Sequence, residues 1–421
     1  STKKNTYFHR KYHNITAKYN GYFNGKESLK YGVSKIENNH KDDYSKILPI
    51  YKTSNLAESK SHHPYMDKAI KKGSIVIQKH SMRIQNQEYC KWIDDSYFLV
   101  AKSHFYKGDF IEARQTFEYI KKNFKKTYKS YESQLWIARC NIELEDYKLT
   151  EMILDGLRSK RNFPEKLIKD LHLLYASLYL KQDDLLTAVD EIKSACNLIK
   201  SKNKKHRLHY IIAQIYQEYG NINEAKKYFQ FVLKSNADYE MIFNSKLNLA
   251  LSLRSYKDLK QMKIDLRKMI NDEKNKEYLD QIYFTLAEMN MIERDTALAI
   301  NNYNKSTQHS SINDFQKSTS FLQLGKIYFN KSDYLNAKTF YIIQTGNVSV
   351  LKTIDGVEKL VQAFVHLKNI NFTSVYHGDF LFDEEIKEYT TIDGEEVVAF
   401  KPQLILYSFP MDSDEGKVIA R

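Results

Sequence analysis

The histidines are the residues best suited by type to metal or acid–base chemistry, so their spacing is the first thing to weigh. His62 and His63 are adjacent, and adjacent imidazoles point apart without a third ligand close by in the sequence. We therefore favour a solvated loop over a metal site there. His172 and His209 each lie one helical turn before a recurring small residue, which is a packing position. None of the four predicts a catalytic or metal-binding role.

The cysteines and the catalytic motifs support the same conclusion. Cys90, Cys140 and Cys196 are far apart and form no CxxC pair, so neither a zinc module nor a redox motif is indicated. We predict that they are buried as small hydrophobic side chains. The sequence contains no phosphate-binding loop, HExxH, GxSxG or EF-hand pattern. We expect no catalytic residue, no cofactor and no metal, and predict that the chain is not an enzyme.

Charge is distributed unevenly along the 421 residues. Residues 342–421 carry seven Lys or Arg and 13 Asp or Glu, a net charge of −6, while the rest of the chain carries +19. Basic clusters occur at 121–126 and 202–207. They could attract an anionic partner or a membrane surface, but a solvated surface and favourable helix C-termini are the simpler interpretation. Nucleic-acid binding is the least favoured, and no apolar run approaches the roughly 20 residues of a membrane span.

A repeat of 37–38 residues organises the middle of the chain. Small residues recur at Ala101, Ala138, Ala176, Ala213, Ala250, Ala287 and Gly325. Twelve residues after each come Ala113, Thr150, Ala188, Ala225, Met262, Ala299 and Ala337. In a tetratricopeptide repeat these are the points where helix A and helix B approach closely. We expect Thr150 and Met262 to loosen the packing of the second and fifth repeats.

Two further positions keep the same register. An acidic or amide residue follows each first small residue by eight positions, where it can cap helix B: Asp109, Asp146, Asp184, Asn221, Asp258, Asp295 and Asp333. A large apolar residue follows each second small position by four. With only 5 Pro and 13 Gly in the chain, the pattern predicts an all-α tetratricopeptide-repeat α-solenoid, a right-handed superhelix, with a short and possibly α+β C-terminal tail.

The rest of the chain divides around this array. Residues 1–54 are predicted to form a helical pair, 6–23 and 26–38, turning at Asn24-Gly25, with 42–52 as a linker. Residues 55–93 are predicted as a linker and a capping helix, and 94–345 as seven repeats. Residues 346–421 have an uncertain fold, with strand-like stretches at 396–400 and 403–409.

The fifth and twelfth positions of helix A are expected to face a groove, and they are apolar or aromatic in most repeats. The predicted partner-binding residues are Phe98, Phe105, Leu135, Leu173, Tyr210, Leu247, Phe284, Met291, Leu322 and Phe329. A stripe of this length is too large to stay exposed on a soluble monomer. It packs on neighbouring repeats, binds a partner, or is covered by residues 1–64 or 346–421.

Two runs resemble a known family. Residues 12–27, YHNITAKYNGYFNGKE, and residues 92–100, WIDDSYFLV, are similar to the mature N-terminus and first repeat of the PorW/SprE lipoproteins. These are tetratricopeptide proteins of the type IX secretion and gliding motility machinery of Bacteroidetes. The resemblance covers roughly residues 1–341, whereas family members are about twice as long and continue as helices.

The resemblance implies a periplasmic scaffold at the outer membrane, anchored by a lipid on a cysteine preceding Ser1. Its partners would be subunits of a PorK/PorN-type ring and components of the outer-membrane translocon, with no nucleic acid. The alternative from the repeats alone is a generic peptide- or chaperone-binding protein unrelated to secretion. Chaperone-tail binding is disfavoured because the fifth positions of helix A are apolar.

Overall fold

The computed structural model describes residues 1–52, 60–85, 87–125, 127–201, 205–253, 256–311, 313–333 and 336–337, and four short strands between residues 350 and 398. The chain forms two compact units, Ser1–Lys246 and Leu247–Arg421. Each is described by itself below.

The first unit begins with one uninterrupted helical rod. Helix α1, Tyr7–Thr16, continues through a π-helical stretch, Ala17–Tyr22, into α2, Phe23–Asn39. The predicted turn at Asn24-Gly25 is therefore wrong. Gly25 keeps helical geometry because its missing side chain lets the rod pack closely: a Cβ there would lie 2.7 Å from Leu99 Cδ2. Helix α3, His63–His80, and a two-residue hairpin, β1 Arg83–Ile84 and β2 Gln87–Glu88, follow.

Four helical hairpins follow in the first unit. Their helices are α4 Ile93–Lys107 and α5 Phe110–Asn123, α6 Tyr128–Glu143 and α7 Tyr147–Arg158, α8 Glu165–Lys181 and α9 Leu185–Leu198, and α10 His206–Glu218 and α11 Ile222–Leu233. The first helix of each hairpin is a helix A and the second a helix B. Apolar clusters between consecutive helices form the core, as a stacked repeat requires.

The small positions explain why these hairpins close so tightly. The first small residue of each of the first six repeats is fully buried, as are Ala113, Ala188, Ala225, Ala299 and Ala337 at the second position. Thr150 is also fully buried, and its hydroxyl donates to the Asp146 carbonyl at 2.8 Å. Met262 is only partly buried, and the looser packing expected for the second and fifth repeats stays a prediction.

Helix-B caps follow the predicted pattern in most described repeats. The side chains of Asp146, Asp184, Asn221, Asp295 and Asp333 each accept the backbone N–H three residues later, at 3.1–3.4 Å. These bonds satisfy a donor that the helix itself leaves unpaired. Asp109 instead contacts His104 Nδ1 at 3.1 Å, so the first repeat lacks this side-chain cap.

Helix α12, Tyr239–Leu251, contains the boundary between the units. The second unit continues with α13 Tyr256–Ile270, a 3₁₀ helix Glu273–Tyr278, α14 Leu279–Ile292, α15 Thr296–His309 and α16 Asp314–Asn330. No strand occurs among the described residues of 94–341. The prediction of a helical tetratricopeptide-repeat fold is confirmed.

The C-terminal strands form two antiparallel pairs. Strand β3, Val350–Ile354, pairs with β4, Val357–Val361, and β5, Glu388–Thr390, pairs with β6, Glu396–Val398. Each pair is joined across one of the two Ile-Asp-Gly sequences, 354–356 and 392–394. The strand predicted at 396–400 is present over its first three residues, and the one at 403–409 lies outside the described residues.

Candidate functional site

Residues Asp42–Lys52, here called the strap, lie across helices A of the first unit. The sequence predicted a linker, but the strap is held by side chains far away in the sequence. Leu48 and Ile50 are buried, with exposed fractions of 1% and 7%. The linker interpretation is wrong because it considered only local composition, whereas the strap's partners lie in α6, α8 and α10.

One end of the strap is fixed by an ion pair. Arg207 donates to both carboxylate oxygens of Asp42, at 2.6 and 2.9 Å, and to the Pro49 carbonyl at 2.9 Å. Burial disfavours the Asp42 carboxylate, but hydrogen bonds and charge from Arg207 and His40 outweigh it, so its pKa lies below the usual range. Arg207 had been assigned to a solvated basic cluster. It lies instead in the first turn of α10 with a bound partner.

The middle of the strap is held through its main chain. The Leu48 N–H donates to Gln214 Oε1 at 3.0 Å, and Gln214 Nε2 donates to the Lys46 carbonyl at 2.6 Å. One amide side chain thus pairs with a donor and an acceptor two residues apart. Every non-proline residue of a peptide offers one donor and one acceptor of this kind.

Aromatic contacts complete the binding of the strap. The Tyr44 ring meets Tyr210 edge to face, with ring centroids 5.4 Å apart. Tyr51 packs against the cluster that contains Leu135 and Leu174. The Tyr51 ring also lies 4.1 Å from the guanidinium of Arg139. Burial raises the pKa of both strap tyrosines, so their hydroxyls stay neutral.

A mixed-charge cavity of about 230 Å³ adjoins Tyr51. Its lining includes Lys102, Glu132, Arg139 and Asp170. Burial lowers the pKa of Lys102, and its ammonium lies 4.8 Å from the Trp136 ring. A second, more open cavity of about 510 Å³ runs beside residues 45–50 of the strap and reaches Leu180 and Glu218.

Sequence reasoning missed the polar residues of this surface. Lys102, Arg139, Ser177 and Gln214 all follow the first small residue of their repeat by one position. Asp95, Glu132, Asp170 and Arg207 precede it by six. Their recurrence in four consecutive repeats is a signal in the sequence, but the groove prediction included only apolar and aromatic positions.

The structure gives each of the ten predicted groove residues a definite environment. Phe98, Phe105, Leu135, Tyr210 and Leu247 are buried, and Leu173, Phe284, Met291, Leu322 and Phe329 are partly buried. In the first unit, Phe98 and Phe105 pack inside one apolar cluster and Leu135 inside another. In the second, Phe284 and Met291 pack against the cluster around Tyr303. Binding of a partner by these ten residues stays a prediction.

The histidines considered as candidates for chemistry pack against, or contact, other side chains of the protein. His62 is buried rather than solvated, with 1% of its surface exposed. The His209 ring packs against the rings of Tyr228 and Phe231, and burial together with Lys205 lowers its pKa to about 4. His172 contacts Glu191 Oε2 at 2.6 Å.

The three cysteines are buried and free, as predicted. Burial raises the pKa of Cys90 and Cys196 to about 11 and that of Cys140 to about 12, which suppresses thiolate chemistry. In the parts of the chain that the structure describes, no three His, Cys, Asp or Glu side chains cluster as metal ligands. None of the helices described there is both long and apolar enough to span a bilayer.

Two family profiles match parts of the chain. A tetratricopeptide-repeat profile matches residues 206–239, which contain α10 and α11. A family of unknown function, DUF6267, matches residues 325–421, which contain the end of α16 and all four C-terminal strands. No curated protein sequence matches the chain.

The solved structures that the chain resembles are remote in sequence. A tetratricopeptide repeat protein from Parabacteroides merdae is 13% identical, covers 59% of this chain and 90% of its own, and has a TM-score of 0.42. Pseudomonas aeruginosa pilF is 13% identical, with 59% and 88% covered and a TM-score of 0.32. A signal-transduction ATPase with a tetratricopeptide repeat sensor from Pyrococcus horikoshii is 15% identical over 68% of this chain and 42% of that one, with a TM-score of 0.37. The helical hairpins and the matched profile identify the chain as one that contains tetratricopeptide repeats, which generally serve as non-enzymatic scaffolds for protein–protein contacts.

Proposed function

We propose that this chain is a non-enzymatic protein-binding scaffold whose helix-A surface in the first four repeats accepts an extended peptide. The observation that carries the proposal is the strap itself, an eleven-residue segment held on that surface by Gln214 and Arg207. Both side chains bond to main-chain atoms of the strap, so the same bonds are open to another peptide in an extended conformation.

The side chains of the strap define the ligand class. An acidic residue meets Arg207, an aromatic residue meets Tyr210, and an apolar–Pro–apolar–aromatic run occupies the surface from Gln214 to Arg139. Aromatic and arginine contacts in enclosed positions usually dominate the energy of such interfaces. A partner segment of this composition would replace the strap, which would then form a loop between α2 and α3.

A peptide-capture experiment tests the proposal. Leu48→Asp places a carboxylate at a buried strap position and releases the strap, since an unpaired buried charge is strongly unfavourable. We expect the full chain with this change to bind a fluorescent peptide of residues 42–52, measured by anisotropy. The unmodified chain, whose surface is filled, should bind it at least tenfold more weakly.

Two further variants make the result specific. Adding Gln214→Ala to the released chain should weaken capture by about tenfold, because one side chain supplies two main-chain bonds. Leu186→Asp, at an exposed position in α9, is the matched control. This variant should bind the peptide as weakly as the unmodified chain does. If the released chain keeps its helical circular dichroism and still captures no peptide, the surface serves only to bind its own strap.

At a finer level, we propose that the chain is a periplasmic adaptor lipoprotein of the type IX secretion and gliding machinery, held at the outer membrane. The support is the resemblance of residues 12–27 and 92–100 together with their packing. The rings of Tyr22 and Trp92 lie 5.1 Å apart. Asn14 accepts the Lys91 N–H at 2.8 Å and donates to the Tyr89 carbonyl at 3.1 Å. The two similar runs therefore belong to one packed N-terminal assembly.

Purification from native membranes tests this assignment. We expect ring subunits of the PorK/PorN type and translocon components to co-purify, and intact-mass analysis to find an acyl group upstream of Ser1. Co-purification of chaperones or unrelated soluble proteins, with no acyl group, would instead support a generic peptide-binding protein.

A further inference from the structure

The N-terminal rod has an unusual division of residue sizes between its two faces. Its inward face is a seam of small residues: Ala17, Gly21, Gly25, Ser28 and Gly32 are all buried. A Cβ at Gly21 would lie 2.1 Å from Val76 Cγ2, and one at Gly32 would lie 2.6 Å from Met66 Cε. The backbone of the rod therefore lies almost directly against side chains of α3. The wider turn of the π-helical stretch helps keep these positions in line.

In the N-terminal part of the rod, the outward face carries the large apolar side chains, whereas further along Leu29 and Ile36 of α2 face inward and are buried. Phe8, Tyr12, Ile15, Tyr19 and Phe23 recur every three or four residues, with exposed fractions of 79%, 61%, 49%, 58% and 52%. We call these five residues the aromatic stripe. Helical residues three and four apart lie side by side, so the stripe is continuous along α1 and the π-helical stretch to the first residue of α2.

This arrangement inverts the usual order of an amphipathic helix, in which large apolar residues face the core. Glycine weakens a helix, and exposed aromatic rings gain nothing from burial. Single exposed apolar residues are common on protein surfaces, but a row of five on one helix marks an interaction surface.

The charge around the stripe identifies the kind of surface that it fits. Residues 1–35 contain eight Lys or Arg and a single acidic residue, Glu27. Lys3, Lys4, Lys11, Lys26 and Lys30 are exposed. Lys11 lies 5.9 Å from the Tyr7 ring and Lys18 4.9 Å from the Tyr19 ring, so cations border the aromatic residues directly.

From these observations we infer that the aromatic stripe and its flanking lysines bind the surface of an anionic lipid bilayer, with α1 lying in the plane of the interface. Tyr and Phe suit the boundary between headgroups and acyl chains, and lysines meet the lipid phosphates. Because the five side chains lie along one face of a single helical rod, they can meet a flat surface together. This inference is independent of the peptide-binding surface and does not require an attached lipid.

Co-sedimentation with vesicles tests the inference, using the unacylated full chain of residues 1–421. We expect binding to vesicles of phosphatidylglycerol and phosphatidylethanolamine, at least tenfold weaker binding to phosphatidylcholine alone, and progressive release by salt. The triple change Phe8→Ser, Tyr12→Ser and Tyr19→Ser should reduce binding to the anionic vesicles at least tenfold. All three side chains are more than half exposed, so the fold should survive.

Two control variants separate the stripe from general hydrophobicity and charge. Met152→Ser, Leu186→Ser and Leu298→Ser remove exposed apolar side chains elsewhere and should leave vesicle binding unchanged. Lys3→Glu, Lys4→Glu and Lys11→Glu should abolish the preference for anionic lipid. Absence of vesicle binding by the unmodified chain overturns the inference. Vesicle binding by the stripe variant that equals that of the unmodified chain also overturns it. If the stripe variant binds vesicles normally but no longer binds a soluble acidic protein, the aromatic stripe is a protein-binding surface.

Discussion

Left-handed backbone conformations recur at one residue of the repeat, immediately before the cap of helix B. They occur at Gly108, Glu145, Asp183, Gly220, Arg294 and Ser332. Only two of these six are glycine, the one residue that adopts positive φ without steric cost. The turn geometry is therefore imposed by the packing of helices A and B, and the local sequence is strained to meet it.

Glycine at the strained positions should stabilise the protein. Glu145 and Arg294 have φ angles of 61° and 63° and exposed side chains. Glu145→Gly or Arg294→Gly relieves roughly 1–2 kcal/mol of left-handed strain, partly offset by the greater freedom of glycine in the unfolded chain. We expect a gain of about 0.5–1 kcal/mol in the free energy of unfolding, measured by urea denaturation.

The reverse substitution provides the control. A Cβ at Gly220 would meet no atom within 4 Å, so Gly220→Ala changes only backbone strain. It should lower the free energy of unfolding by about 1 kcal/mol. A neutral result would mean that the turn relaxes, and the explanation of the other two positions would fail with it.

Individual residues were predictable from the sequence where the reason is steric. Ala138 and Ala213 had to be small because helix A meets helix B there, and both are fully buried. Gln214 and Arg139 follow them directly and bind the strap. Their roles depend on a segment more than 80 residues away, which the repeat pattern does not contain.

Among the elements, the N-terminal rod shows how glycine can mislead a prediction of secondary structure. Asn-Gly is a strong turn signal, yet Gly25 is part of a helix because its neighbour Leu99 needs the space. The strap was mistaken for a related reason, since a short segment with one proline and no helical or strand pattern is locally indistinguishable from a linker. In both cases a tertiary contact overrides local preference.

Substitution of the seam glycines should separate close packing from helix propensity. Gly21→Ala would place a Cβ 2.1 Å from Val76 Cγ2 and force the rod away from α3. Overpacking of this kind usually costs about 1–3 kcal/mol. Thermal unfolding should therefore show a lower melting temperature.

Gly156→Ala in α7 is the matched comparison. A Cβ there would contact nothing within 4 Å, so only the better helix propensity of alanine acts, with a gain of about 0.5–1 kcal/mol. If both variants changed stability in the same direction, the seam would not be held by close contact.

On the scale of the whole molecule, the array of repeats was predictable because every repeat must meet the same packing requirement. A hairpin cannot bury its apolar face alone, so the register of small, capping and apolar positions is set again every 37–38 residues. Residues 346–421 have no such periodicity, and the sequence predicted strand-like stretches at 396–400 and 403–409 without indicating which strands pair. Their role is not indicated by the repeat.

The strap also connects distant parts of the first unit, because Asp42 and Arg207 are 165 residues apart in the sequence. The combined change Arg207→Ala and Gln214→Ala removes the ion pair with Asp42, the bonds from Arg207 to the Pro49 carbonyl and the two main-chain bonds of Gln214. Because proteases cut locally opened segments, we expect trypsin to cleave the double variant after Lys46 at least tenfold faster than the unmodified chain. Mass spectrometry measures the cleavage rate. Arg161→Ala, at an exposed position, should not change the rate. An unchanged rate in the double variant would show that the burial of Leu48 and Ile50 alone holds the strap, and that the polar contacts only select its register.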